Sequence, residues 1–172
     1  AGVSGGDRVI DFATGLGDTA IACARRVGDE GHVYATDAAV AMLEFAEDYA
    51  SEQGLTNVSF SRADFNDLVV DQNAFDAGIC RWGLMFAADL VSSLRSIRCL
   101  LRPGGTFAAI VWGPPERADV HTLSNTVLME TLGETPIPTG KGTPFALCDR
   151  EELEGRFASA GFTNVESQVV SV

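Results

Sequence analysis

Residues 8–17 read Arg8-Val-Ile-Asp-Phe-Ala-Thr-Gly-Leu-Gly17, a short apolar strand that runs through an aspartate into a glycine turn. Val9, Ile10 and Phe12 suit a strand buried on both faces of a parallel sheet. Asp11 does not, because an unpartnered carboxylate at that depth costs several kcal/mol. A charge kept at the carboxyl end of a parallel strand, beside a glycine turn, points to a ligand that answers it. The stretch predicts a nucleotide-like small molecule bound at the turn.

Working outward, strand-like and helix-like segments alternate, as in a parallel sheet covered on both faces. Strand one is 8–12, and a helix follows from about Asp18 to Val27 with Ala20, Ile21 and Ala24 on its buried stripe. His32 to Thr36 is strand two, ending at Asp37. The next helix, about 39–53, carries Met42, Leu43, Ala46 and Tyr49 at helical spacing and stops at Gly54. Strands three and four are Val58 to Arg62 and Phe75 to Trp82. A helix over about 88–101 halts at Pro103-Gly104-Gly105, before strand five, Thr106 to Trp112. Between Gly113 and Pro144 five prolines loosen the pattern around one helix near 119–132. A last helix, about 149–160, ends at Gly161, and Val165 to Val172 reads as a sixth strand. The fold class is α/β, a doubly wound and mostly parallel sheet in the order 3-2-1-4-5 followed by 6.

The chain has 172 residues, which the usual size prior reads as a single domain, 1–172. It begins with Ala1 rather than Met, so processing or excision from something longer stays open. Even the longest continuous apolar runs, such as Phe107 to Trp112, are far too short to span a bilayer, and no membrane association is expected. Net charge is −12 and Lys141 is the single lysine, which disfavours nucleic-acid partners. Cys23, Cys80, Cys99 and Cys148 are widely spaced with no C-x-x-C pair, so neither a metal site nor a disulfide framework is expected. The default compartment is the cytoplasm.

Gly15-x-Gly17-x-x-Ala20 satisfies the dinucleotide fingerprint, with Asp37 about 20 residues on. An NAD(P)- or flavin-binding oxidoreductase is therefore one reading, and a cofactor-binding module without catalysis is another. Three features pull away from the dinucleotide fold. The fingerprint leaves Asp11 without a task. Asp64 stands just beyond strand three, followed by Phe65, a pair suited to the edge and face of an adenine. Leu101-Arg-Pro-Gly-Gly-Thr106 forms a turn that the dinucleotide fold does not require.

Val9-Ile-Asp-Phe-Ala-Thr-Gly-Leu-Gly17, Tyr34-Ala-Thr-Asp37 with Met42-Leu43, Ala63-Asp64, Phe75-Asp76 and Arg102-Pro-Gly-Gly105 together resemble the ordered motifs of class I S-adenosylmethionine-dependent methyltransferases. Within that superfamily the chain is most similar to the small-molecule branch of the ubiquinone/menaquinone-biosynthesis type. Residues 160–165, Ala-Gly-Phe-Thr-Asn-Val, resemble the lead into that family's sixth strand. The resemblance implies S-adenosyl-L-methionine as cofactor and a small-molecule acceptor. Ala13, Thr14, Gly15 and Gly17 would line the methionine moiety, with Asp11 orienting the turn near the ammonium group. Asp37 would accept the ribose hydroxyls, Ala38 and Met42 would flank the adenine, and Ala63, Asp64 and Phe65 would meet its edge and face. Arg81 and Trp82 would face the transferred methyl.

Plainer roles compete with each of these. Asp37 can cap the next helix, Met42 can be core, Asp64 a turn residue, Arg81 a surface ion-pair partner and Trp82 packing. No catalytic residue is forced; Arg81 and His121 are the only candidates. Trp82, Leu84, Met85, Phe86 and Trp112 suit an apolar or aromatic acceptor, or the core. Ala13 stands where the family commonly has glycine, which is tolerable if its φ is negative. The family's N-terminal covering helices and seventh strand are expected to be missing, which would leave the sixth strand's edge open to a homodimer or to fraying.

Overall fold

A computed structural model describes residues 1–65, 72–118, 131 and 140–170. Five strands, β1 (Arg8–Phe12), β2 (His32–Asp37), β3 (Val58–Arg62), β4 (Phe75–Arg81) and β5 (Leu101–Ile110), form one parallel sheet in the order β3-β2-β1-β4-β5. The helices are α1 (Asp18–Val27), α2 (Val40–Glu52), α3 (Leu90–Leu100) and α4 (Arg150–Ser159), with short 3-10 turns at Leu84–Phe86 and Pro115–Arg117.

β1 lies at the centre because its side chains are apolar on both faces. Ile10 and Phe12 join Leu94 and Ile97 of α3 in one core, while Val9 joins Ala20, Ala24 and Val27 of α1 in the other. The sheet reverses its winding at β1, which pairs with β2 on one side (Phe12 opposite Thr36) and β4 on the other (Phe12 opposite Cys80). A crevice at the carboxyl ends of these strands is the usual ligand position in such sheets. Helix ends follow local chemistry. Asp89 accepts the Ser92 amide at 3.0 Å at the start of α3, Asp149 accepts that of Glu152 at 2.9 Å at the start of α4, and Gly54 (φ 70°) follows the end of α2.

Two expectations fail here. Pro103-Gly104-Gly105 is not a turn ahead of β5 but a bulge within it: Leu101 pairs with Phe75 and Thr106 with Ala77, the residues between looping out. Gly104 takes a φ of 80° there, and a Cβ on Gly105 would sit 2.9 Å from the Arg102 carbonyl oxygen. Arg102 pairs with Asp76, at the end of the sheet opposite the crevice. The motif therefore shapes the fold at the end of the sheet away from the crevice.

Nor does the sixth strand form among the described residues: 165–170 have no strand pairing. The segment is rich in valine, as a strand would be, yet Arg150 Nη2 donates to the Ser167 carbonyl at 2.6 Å and the Ser167 hydroxyl donates to Glu154. Tied to α4, the segment leaves Val169 and Val170 exposed. The helix expected near 119–132, and His121 with it, lies outside the described residues apart from Thr131.

Candidate functional site

The loops after β1, β2, β3 and β4 enclose a cavity of about 600 Å³. Of the residues singled out in the sequence, Ala13, Thr14, Gly15, Asp37, Ala38, Met42, Ala63, Asp64, Phe65, Arg81 and Trp82 line it. Asp11 and Gly17 do not. Gly17 (φ 87°) starts α1 and packs against α2, where an added Cβ would come within 2.9 Å of the Ala46 Cβ. Its role is to let the two helices approach.

Asp11 lies behind the turn, 1% exposed. Thr14 Oγ1 donates to Asp11 Oδ2 at 2.7 Å, while Asp11 Oδ1 has no hydrogen-bond partner among the described residues. Burial pushes this carboxyl up to about 7, against the lowering effects of the Thr14 hydroxyl and the Arg81 guanidinium. Thr36 completes the floor: its carbonyl accepts the Thr14 amide at 2.9 Å and its hydroxyl reaches the Asp11 carbonyl at 3.4 Å.

Asp37 holds the turn from the β2 side. Its Oδ2 accepts the Gly15 amide and its Oδ1 the Ala39 amide, each at 2.9 Å. It does serve the entry to α2, as the plainer role required. A carboxylate has about four acceptor positions, so each oxygen keeps one for a ligand. At the end of β3 the Ala63 amide donates to the Asp37 carbonyl at 3.1 Å, and Asp64 Oδ1 accepts the Phe65 amide at 2.6 Å. Phe65 is buried against Phe12, its ring 6.0 Å away. Met42 is not core: it is 44% exposed and forms part of the cavity wall.

On the β4 side, Arg81 Nη2 meets Asp18 Oδ2 at 3.3 Å, and its guanidinium lies 4.9 Å from the centre of the Trp82 ring. Trp82 stacks parallel on Trp112 at 4.9 Å. The aromatic group expected around the acceptor divides. Leu84 and Met85 are core, whereas Phe86 is exposed at the cavity mouth.

Besides Gly15, two lining residues adopt left-handed backbone, Ala13 (φ 52°) and Trp82 (φ 57°). The condition that Ala13 needs a negative φ is therefore not met. The reason is contact between loops: a Cβ on Gly83 would fall 2.3 Å from that of Ala13, so the two turns are wedged together with glycine on one side only. Left-handed backbone costs a non-glycine residue about 1–2 kcal/mol, part of which the greater unfolded freedom of glycine returns. Ala13→Gly should raise stability by about 1 kcal/mol, read as a higher urea midpoint at unchanged slope.

Asp18, Thr19, Leu16, Thr36, Ala39 and Gly83 line the cavity without having been singled out. Asp18 reads in sequence only as a helix start, and Gly83 follows a strand without a motif around it. Among the described residues no cluster of His, Cys, Asp and Glu could hold a metal ion, and no helix is long and apolar enough to cross a membrane. Burial pushes the Cys80 thiol up to about 12 and that of Cys23 up to about 11, which keeps both protonated and unreactive.

A family model described as a methyltransferase domain matches residues 4–130. The ubiquinone/menaquinone biosynthesis C-methyltransferase UbiE of Teredinibacter turnerae is 35% identical, the match covering 94% of this chain and 69% of that protein. Its counterpart from Idiomarina loihiensis is 29% identical over 98% of this chain and 71% of its own length. Among solved structures, a SAM dependent methyltransferase from Aquifex aeolicus shares the fold, with a TM-score of 0.73 at 21% identity, covering 93% of this chain and 74% of that one.

Proposed function

The chain belongs to the methyltransferase family whose model spans residues 4–130, and from that premise we propose that it transfers a methyl group from S-adenosylmethionine to a small quinol-type aromatic acceptor. The observation that carries the reading is the convergence of Asp37, Asp64 and the Gly15 turn on one cavity. A nicotinamide dinucleotide needs the turn and Asp37 but gives Asp64 nothing to do. An adenosine with an amino-acid arm uses all three.

The residues present fit that cofactor. Asp37 keeps one acceptor position on each oxygen after binding the Gly15 and Ala39 amides, which suits a pair of ribose hydroxyls. Asp64 offers a carboxylate acceptor at the base end, its Oδ1 already taking the Phe65 amide. Ala38 and the exposed Met42 supply apolar contact. When bound, the cofactor supplies a methyl group already activated by its sulfonium. The protein's task is then alignment of the acceptor along the line of displacement, together with exclusion of water. Phe86 and the Trp82–Trp112 stack provide the apolar wall for this at the β4 side. A general base is needed only for an acceptor that arrives protonated.

The acceptor class draws support from relatives named for ubiquinone and menaquinone biosynthesis. The cytoplasmic location expected from the sequence fits four cysteines that are all free thiols. Titration calorimetry tests the cofactor: S-adenosylhomocysteine should bind more tightly than NADH, and the reverse order overturns the reading. Transfer of labelled methyl from S-adenosylmethionine to a panel of quinols tests the reaction. Binding without any transfer would make the chain a cofactor-binding module instead.

A further inference from the structure

Arg102-Pro-Gly-Gly105 plays no part in the cofactor cavity, yet it lines a second one. At the end of the sheet opposite the crevice, the segment before β4, the start of β5 and the carboxyl ends of α3 and α4 border a cavity of about 400 Å³. Arg98 and Arg102 line it together with the neutral polar side chains of Gln72, Asn73 and Thr163, and no carboxylate lines it among the described residues. Two guanidiniums without an acid in the same wall stand out in a chain of net charge −12.

Both guanidiniums are anchored through Nε. Arg98 Nε donates to the Ala160 carbonyl at 3.1 Å, and a Cβ on Gly161 would crowd the same nitrogen at 3.0 Å. Arg102 Nε pairs with Asp76, whose other oxygen accepts the Arg8 amide at 2.7 Å. The terminal nitrogens of both side chains have no partner among the described residues. The backbone acceptors close by are already answered: the Cys99 and Leu100 carbonyls at the end of α3 take the Asn73 and Ala74 amides at 3.0 and 2.9 Å. What remains for a ligand is chiefly charged donors. Two separate forks ask for more acceptor oxygens than the two of one carboxylate, and a phosphate group has them.

We propose that this second cavity is an anion site for a phosphate group, with Arg98 and Arg102 as its two charged donors. The site stands at the far end of the sheet from the cofactor cavity and rests on no reading of that cavity. Its ligand is a free phosphate or the phosphate end of a larger molecule, the recognising chemistry being the same.

Titration at fixed ionic strength, followed by the backbone amide resonances of the whole chain, tests it with inorganic phosphate, pyrophosphate and ribose 5-phosphate as probes. Resonances of residues 102, 104–105 and 161–163 should shift and saturate, with half-saturation at about 1 mM for exposed charge-assisted contacts of this kind. Gln72→Glu puts a carboxylate into the wall while both arginines keep their anchors, and should raise half-saturation by roughly 5- to 10-fold. Arg98→Met should raise it by roughly 10-fold. Tighter binding of ribose 5-phosphate than of inorganic phosphate identifies an ester as the ligand, and the reverse order identifies the free anion. Shifts that never saturate, or that ignore Gln72→Glu, overturn the site and leave Arg98 as a cap on α4 and Arg102 as the partner of Asp76. An equal response to malonate, a dicarboxylate of similar charge, overturns the phosphate assignment.

Discussion

Replacing Asp37 with alanine is expected to weaken S-adenosylhomocysteine binding by roughly one to three decades while leaving the far-UV circular dichroism unchanged. Charge-assisted hydrogen bonds to the two ribose hydroxyls supply about 1.5–3 kcal/mol each at most. The structure adds a second route to the same loss. The carboxylate also holds the Gly15 and Ala39 amides, so its removal frees the turn that shapes the cavity. Asp37→Asn separates the two contributions, because the amide oxygen can keep one of those backbone bonds while the charge is gone. Calorimetry on both variants measures the split. Unaltered affinity in Asp37→Ala would confine Asp37 to bracing backbone, with the ribose held elsewhere.

Asp37 illustrates how far the sequence could be read. Five strands and four helices were legible because glycine and proline punctuate segments whose apolar period is unambiguous. Asp11 was legible because a charge inside an apolar strand contradicts its surroundings. What escaped depends on contacts between residues distant in the chain. The left-handed backbone of Ala13 follows from the approach of Gly83, some seventy positions away. The loss of the sixth strand follows from Arg150 and Glu154 taking the backbone and hydroxyl of Ser167. A local richness in valine cannot register that competition. Asp18 escaped for a different reason: as the first residue of α1 it already had a sufficient explanation in the helix dipole, and only the approach of Arg81 gives it a second one.

Asp11 carries the other large effect. Its carboxyl is pushed up to about 7 in the fold, from an ordinary value of 3.8. Between those values the native state binds a proton that the unfolded chain does not. Asp11's contribution is therefore fully present below about pH 4, declines as pH rises toward 7 and is flat above. A gap of about three units corresponds to roughly 4 kcal/mol. Asp11→Asn removes this titration, so the stability difference between variant and parent should shift in the variant's favour by up to that amount between pH 4.5 and pH 8. Urea midpoints across the range read it directly. Any constant cost of placing an amide at the unpartnered Oδ1 position cancels from the slope. A difference that does not change with pH would mean that the carboxylate is ionised and satisfied throughout. The same variant should bind S-adenosylhomocysteine somewhat more weakly at pH 8, because the negative field beneath the turn is lost, yet less so than Asp37→Ala, since Asp11 acts through Thr14 rather than by contact. Greater stability together with weaker binding is what a charge kept for its ligand predicts. A variant that gained stability at no cost in affinity would leave the burial of Asp11 without a function.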